Sequence, residues 1–257
     1  VATTGSDSNP GTSGSPFASI QKAANVVNPG DTVIVRDGTY VDTYIDANDA
    51  IVHVTRGGTA GNYVTFKSEN PLGAKLDGQS NTIMTAWYLE AEYIRIEGFE
   101  VYGVRGGVQG WTSHVQVVDN AFHDLGRACN VGSNGVFVSN VSDWTIENNL
   151  FHDIGRFDST EGGCVVTTSL QQDHGIYIES VDTITIKNNI FYNIYRGFPV
   201  HMYSGHVAAP ASTNVKILNN TMSGVAPYVY GGGHILLAMP GVNNTVIANN
   251  ISYQPKD

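Results

Sequence analysis

The chain has 257 residues, of which 14% are charged and 29 are glycine, and a formal net charge of −10. Such a negative balance argues against nucleic acid or an anionic membrane surface as a partner. No run approaches the ~18 consecutive apolar residues of a membrane-spanning helix.

The glycine content, together with many Asn and Thr, suits a turn-rich β protein better than a helical one. Cys129 and Cys164 are the two cysteines. They make neither a disulfide framework nor a zinc site.

The opening segment from Val1 is polar and rich in Gly and Ser, in the manner of a processed or trimmed N-terminus. "PFASIQKAANVVN" (16–28) then places Phe17, Ile20, Ala24 and Val27 on one helical face. Ser15-Pro16 is its start signal and Pro29-Gly30 its stop. A solenoid needs its first coil covered, because an open end exposes core and unpaired strand edges. The helix is therefore expected to be an N-terminal cap, and "DTVIVRDGTYV" (31–41) the first coil.

Further on, a doublet recurs: Asp119-Asn120, Asn148-Asn149, Asn188-Asn189, Asn219-Asn220 and Asn249-Asn250, at spacings of 29, 40, 31 and 30 residues. Before each stands an alternating run such as "HVQVV", "TITIK" or "VKIL", which reads as a strand with one buried face. Three doublets lead into near copies of one phrase, "NAFHDLGR" (120–127), "NLFHDIGR" (149–156) and "NIFYNIYR" (189–196). Within the copies, Phe122, Phe151 and Phe191 are followed three residues later by Leu125, Ile154 and Ile194. That odd interval requires a bend between the two apolar positions.

A third strand per period is written as "GVFVS" (135–139), "GIYIE" (175–179), "PVHMY" (199–203) and "HILLA" (234–238). Three short strands in roughly 30 residues fit the coil of a single-stranded parallel β-helix. The expected fold is all-β, one β-helix domain over 1–257, with a C-terminal cap apparently absent. The doublets acquire two structural reasons. Asn tolerates a left-handed backbone at a sharp bend, and stacked Asn side chains can satisfy one another's amides in the interior.

"GSDSNPGTSGSPFASIQKAANVVNPGDTVIVRDGTY" (5–40), "GTAGNYVTFKSENPLGAKLDG" (58–78) and "YIRIEGFEVYG" (93–103) resemble the opening coils of secreted right-handed parallel β-helix proteins. These are the pectate-lyase-like superfamily, with family 9 polysaccharide lyases and the chondroitinase B and alginate lyase group nearest. The resemblance implies an extracellular protein that acts on acidic, uronate-containing polysaccharide or oligosaccharide.

In lyases of this fold the groove follows one strand face, here the strands at 135–139, 175–179, 199–203 and 234–238. Alternation turns Val136, Val138, Ile176, Ile178, Val200 and Met202 inward. Phe137, Tyr177, His201 and Leu236 then form one outward row, and Ser139, Glu179 and Tyr203 the next. Asp173 and His174 stand just upstream, with Asn134 at the matching place. Arg127, Arg156 and Arg196 end the three phrases and would form a column beside this face. Asp124 and Asp153 could pair with the first two, whereas Asn193 leaves Arg196 without that partner. His123 and His152 read as solvent-facing rungs or turn hydrogen-bonders.

β-Elimination of a uronate needs a cation or strong donor at the carboxylate, a base for the C5 proton and an acid for the leaving oxygen. Arg196 or Arg156 could neutralise. His201, His174 or Tyr203 could be the base, and Tyr177 or Tyr203 the acid. Arg127, Arg156, Asp173 and Glu179 are the expected substrate-binding residues.

The chain departs from the families it resembles. Family 9 lyases use an aspartate cluster around calcium and a lysine base, and here no lysine falls on the expected face. The lysine–arginine pair of the chondroitinase B group has no evident counterpart either. Asp37, Asp42, Asp46 and Asp49 in the early coils read as solvated turns. No cofactor is expected, calcium being the one metal that the resemblance brings.

Two alternatives stay open: a glycoside hydrolase, with Asp173 and Glu179 as nearest carboxylates, and a non-catalytic glycan-binding or surface protein. A monomer is expected. A disulfide between Cys129 and Cys164 would pin the loop at 157–172 and suits secretion.

Overall fold

The computed structural model describes residues 1–41, 49–80, 83–126, 132–155, 173–195, 197–203, 212–225, 233–239 and 241–253. Arg127, Arg156, Arg196, Cys129, Cys164, Asp42 and Asp46 lie outside them, so the arginine column and the disulfide do not enter the structural description. One short helix, α1 (Ile20–Ala24), precedes the strands.

The strands then follow in threes. The first coil is β1 (Thr32–Val35), β2 (Gly38–Tyr40) and β3 (Ala50–Val54). The second is β4 (Val64–Ser68), β5 (Ala74–Asp77) and β6 (Thr85–Leu89), and the third β7 (Ile94–Glu97), β8 (Glu100–Tyr102) and β9 (Gly106–Gly110). The fourth and fifth are β10 (Val115–Val118), β11 (Ala121–Leu125), β12 (Ser133–Val138), β13 (Val141–Glu147), β14 (Leu150–Ile154) and β15 (Asp173–Ile178). The sixth and seventh are β16 (Val181–Lys187), β17 (Ile190–Ile194), β18 (Val200–Tyr203), β19 (Thr213–Leu218), β20 (Thr221–Val225) and β21 (Ile235–Ala238). β22 (Val246–Ala248) and β23 (Ile251–Tyr253) follow. Every strand pairs in parallel with its copy one coil away, which gives three sheets headed by β1, β2 and β3. This is a parallel β-helix.

The repeated phrase resolves residue by residue. The first member of each doublet sits in the left-handed region, with φ 58° at Asp119 and Asn148, 57° at Asn188, 55° at Asn219 and 57° at Asn249. The second member turns inward and is buried at Asn120, Asn149, Asn189 and Asn220. Its Oδ1 accepts from the backbone N–H and the side-chain amide of the preceding Asn, so the four contacts from Asn120 to Asn250 run on without a break.

Phe follows on the inside and His or Tyr on the outside. A second left-handed residue comes next, Asp124, Asp153 or Asn193, with φ 51°, 52° and 54°. This is the bend that the odd spacing demands, and it returns Leu125, Ile154 and Ile194 to the core.

Phe122, Phe151 and Phe191 stack with centroids 5.1 and 4.8 Å apart. Each ring lies against a glycine of the third sheet. A Cβ at Gly107, Gly135 or Gly175 would stand 2.5, 2.5 or 2.7 Å from a phenyl carbon. The glycine of "DHGIY" is therefore required by a phenylalanine sixteen residues downstream.

α1 is shorter than the helix expected over 16–28. Asp7 explains the difference: its carboxylate accepts from the N–H groups of Ala18 and Ser19 and from the Ser19 hydroxyl. Residues 16–18 are thereby held out of the helix, and Ser19 rather than Ser15 becomes the N-cap, accepting from Lys22 N–H. Ile20, Ala24 and Val27 still enter the core, but Phe17 covers Gly11 instead.

Candidate functional site

The third sheet presents two outward rows. In register across β3, β6, β9, β12, β15, β18 and β21 lie His53, Tyr88, Gln109, Phe137, Tyr177, His201 and Leu236. Two positions further along the strands, Trp111, Ser139, Glu179 and Tyr203 continue the same alternation. Val136, Val138, Ile176, Ile178, Val200 and Met202 are all in the core as expected, whereas His201, Ser139 and Glu179 of the outward rows are themselves buried.

His174, Tyr177, His201 and Tyr203 come together on β15 and β18. The ring of His174 lies 5.2 Å from that of Tyr177 and 4.5 Å from that of His201, and His201 is 5.8 Å from Tyr203. The hydrogen bonds assign the tautomers. His174 Nδ1 accepts from Phe198 N–H at 3.0 Å, so neutral His174 carries its proton on Nε2. That Nε2 lies 3.0 Å from His201 Nδ1, which must accept it. Neutral His201 then has its own proton on Nε2 and is an N–H donor there.

Burial holds the imidazole of His201 in the neutral form by pushing its pKa down to about 4. The two histidines are 3% and 6% exposed and form the floor of the face, while Tyr177 and Tyr203 stand half-buried above. Desolvation, with smaller contributions from the charges of Glu179 and Tyr203, raises the Tyr177 phenol to about 12. Glu179 is itself buried and accepts a 2.8 Å hydrogen bond from the Ser139 hydroxyl.

Asp173 departs from expectation. It is fully enclosed, and its carboxylate packs against Gly155, where a Cβ would stand 2.6 Å from Oδ2. Asp173 thus lies in the interior corner of the coil, below the face that carries Tyr177 and Tyr203.

His123 and His152 do lie outward, on the second sheet, and they stack between Tyr102 and Tyr192 with centroids 5.5, 4.8 and 4.7 Å apart. Each hydrogen-bonds the Asp that follows it, His123 to Asp124 at 2.8 Å and His152 to Asp153 at 2.6 Å. Asp153 also accepts from Tyr195 and Asn193 and is held below the usual carboxylate range despite its partial burial.

Among the described residues, no three His, Cys, Asp or Glu side chains are grouped so as to hold a metal ion. Glu90 is bound to His53 at 2.9 Å, Glu179 to Ser139, and Asp173 is turned away. Asp37 and Asp49 serve turns, accepting from Asn70 and Met84 N–H respectively.

Two residues escaped the sequence reading. Trp111 is 49% exposed beside Phe137, with centroids 5.3 Å apart. Its signal was its place at the end of "GVQGW" (107–111), the copy of "GVFVS" one coil earlier. Arg105 stands just before β9, donates from Nη1 to Met84 Sδ at 3.0 Å, and meets no carboxylate among the described residues.

The family model for the Pel9A-like right-handed β-helix region matches residues 1–205. Among solved structures, the fold is shared with pectate lyase Pel9A, at 17% identity and a TM-score of 0.56, covering 97% of this chain and 77% of that one. XylC in complex with xylose is similar at 12% identity and 0.58, covering 98% and 66%. The family 136 lacto-N-biosidase from Eubacterium ramulus follows at 16% and 0.51, covering 97% and 55%. An uncharacterized protein of Bacillus subtilis (strain 168), YwoF, is 26% identical over 151 residues, which are 52% of this chain and 30% of that protein. The chain thus matches less than a third of that curated relative.

Proposed function

Because the chain belongs to the Pel9A-like right-handed β-helix family, we propose that it is a secreted, monomeric polysaccharide lyase that cleaves a uronate-containing polymer by β-elimination. One observation carries this reading: Tyr177, His201 and Tyr203 converge on two adjacent strands of a single outward face.

Tyr177 keeps its proton at neutral pH and serves as the acid for the leaving oxygen. His201 is a donor in its resting tautomer, so the base role weighed for it and for His174 passes to Tyr203, half-buried beside it. His174 fixes the His201 ring from below. Arg196, with Arg156 and Arg127, neutralises the substrate carboxylate. A protein of net charge −10 that binds a polyanion needs such local cations.

The test is the ultraviolet absorbance of the unsaturated uronate that elimination leaves and hydrolysis does not. Tyr177→Phe and Tyr203→Phe should each lower kcat by about 10²-fold or more. Chelation should leave turnover intact. A loss restored by calcium would return attention to acidic residues.

A second reading, glycan binding without catalysis, is favoured by the aromatic character of the face around Trp111 and Phe137. Silence in both the elimination and reducing-sugar assays, with polymer still retained, would put it first.

A further inference from the structure

Trp111 and Tyr203 stand in the same outward row, on strands three coils apart, and the two positions between them are Ser139 and Glu179. Both of these are sunk into the surface, at 1% and 7% exposure. The row runs about 14 Å at the inter-strand spacing, with the indole at one end and the Tyr203–His201 pair at the other. Phe137 and Tyr177 form its flank.

An exposed indole beside hydrogen-bonding side chains is the chemistry that recognises a pyranose ring: C–H groups pack on the aromatic face and hydroxyls meet polar edges. Gln109 and Glu90 supply those edges on the neighbouring positions. The charged side chains nearest the indole along the two rows are Glu90 and Glu179. Glu90 already holds His53, and no lysine or arginine stands in either row among the described residues. Arg105 precedes β9, at the other end of the strand from Trp111. A uronate carboxylate brought against Trp111 would find acidic neighbours.

We propose that Trp111 is the stacking platform of a sugar subsite, about two sugar rings from the reacting bond, and that the sugar it holds is uncharged. The substrate is then a polymer that mixes uronate with neutral residues. This rests on the lyase reading for the location of the reacting bond, but the subsite can be tested without turnover.

Trp87 and Trp144 are buried at 0% and 1% exposure, so Trp111 is the tryptophan whose emission responds to a ligand on this row. The wild-type protein would be titrated with cellohexaose, which is uncharged, with a hyaluronan hexamer, which alternates uronate and an uncharged sugar, and with hexagalacturonate. Trp111 emission should change with the alternating or the uncharged hexamer and not with hexagalacturonate. By calorimetry, Trp111→Ala should bind the active hexamer about tenfold more weakly, and Trp111→Phe should retain most of the affinity.

An equal response to hexagalacturonate overturns the neutral-sugar assignment. No emission change with any hexamer, or unaltered affinity in Trp111→Ala, overturns the subsite. Elimination activity with no Trp111 response removes the subsite and keeps the lyase. A Trp111 response without elimination does the reverse.

Discussion

Asn149 and Asn189 stand one coil apart, and both the backbone N–H and the side-chain amide of Asn149 donate to Oδ1 of Asn189, at 2.9 and 3.1 Å. Asn189 in turn donates from Nδ2 to the carbonyl of Ile146 and to Asn220 Oδ1. Asn189→Ala removes an acceptor and a donor from a fully buried chain of bonds, and leaves partners on both sides unpaired. We expect a loss of about 3 kcal/mol or more, read as a shift of the urea midpoint. A loss near zero would mean that water enters the turn.

The neighbouring position separates backbone strain from hydrogen bonding. Asn148 is left-handed, with φ 58°, and its turn needs only that conformation. Asn148→Gly should leave stability nearly unchanged, whereas Asn148→Val should cost about 1–2 kcal/mol. Equal losses from the two variants would point to a side-chain role instead.

Phe151 lies between Phe122 and Phe191 and is fully buried. Phe151→Ala opens a cavity in the middle of the stack and should cost about 3–5 kcal/mol. His152→Ala, at the outward position beside it, should cost far less in the same denaturation series.

The pH dependence of stability carries the signature of the buried histidine pair. His201 takes up a proton near 6.5 when unfolded and near 4 when folded, because burial disfavours its charged form. Between those values the unfolded chain binds more protons, so stability falls as pH drops from about 6.5 toward about 4. Urea midpoints measured across this window should decline, and His201→Gln should flatten the decline. An unchanged slope in the variant would assign it to other groups.

Much of the fold was legible in the order of residues because a coil that repeats must repeat its demands. The Asn doublets mark one left-handed bend and one buried amide per coil, and the Phe-to-Leu interval of three requires the second bend. Period-two alternation separated Val136 and Ile176 from Phe137 and Tyr177 without any coordinates.

The ends of elements were less legible. Asp7 reaches across eleven residues to hold Ala18 out of the helix, and no local propensity records that contact. The candidate site divides along the same line. Side-chain period determined that Tyr177, His201 and Tyr203 share a face. Only the tertiary structure decided that Asp173 turns into the corner at Gly155, that Phe198 N–H sets the proton of His174, and that Trp111 remains in solvent. Those outcomes depend on which groups meet across coils, and two residues one coil apart in space are separated in the chain by loops whose length the strand pattern does not control.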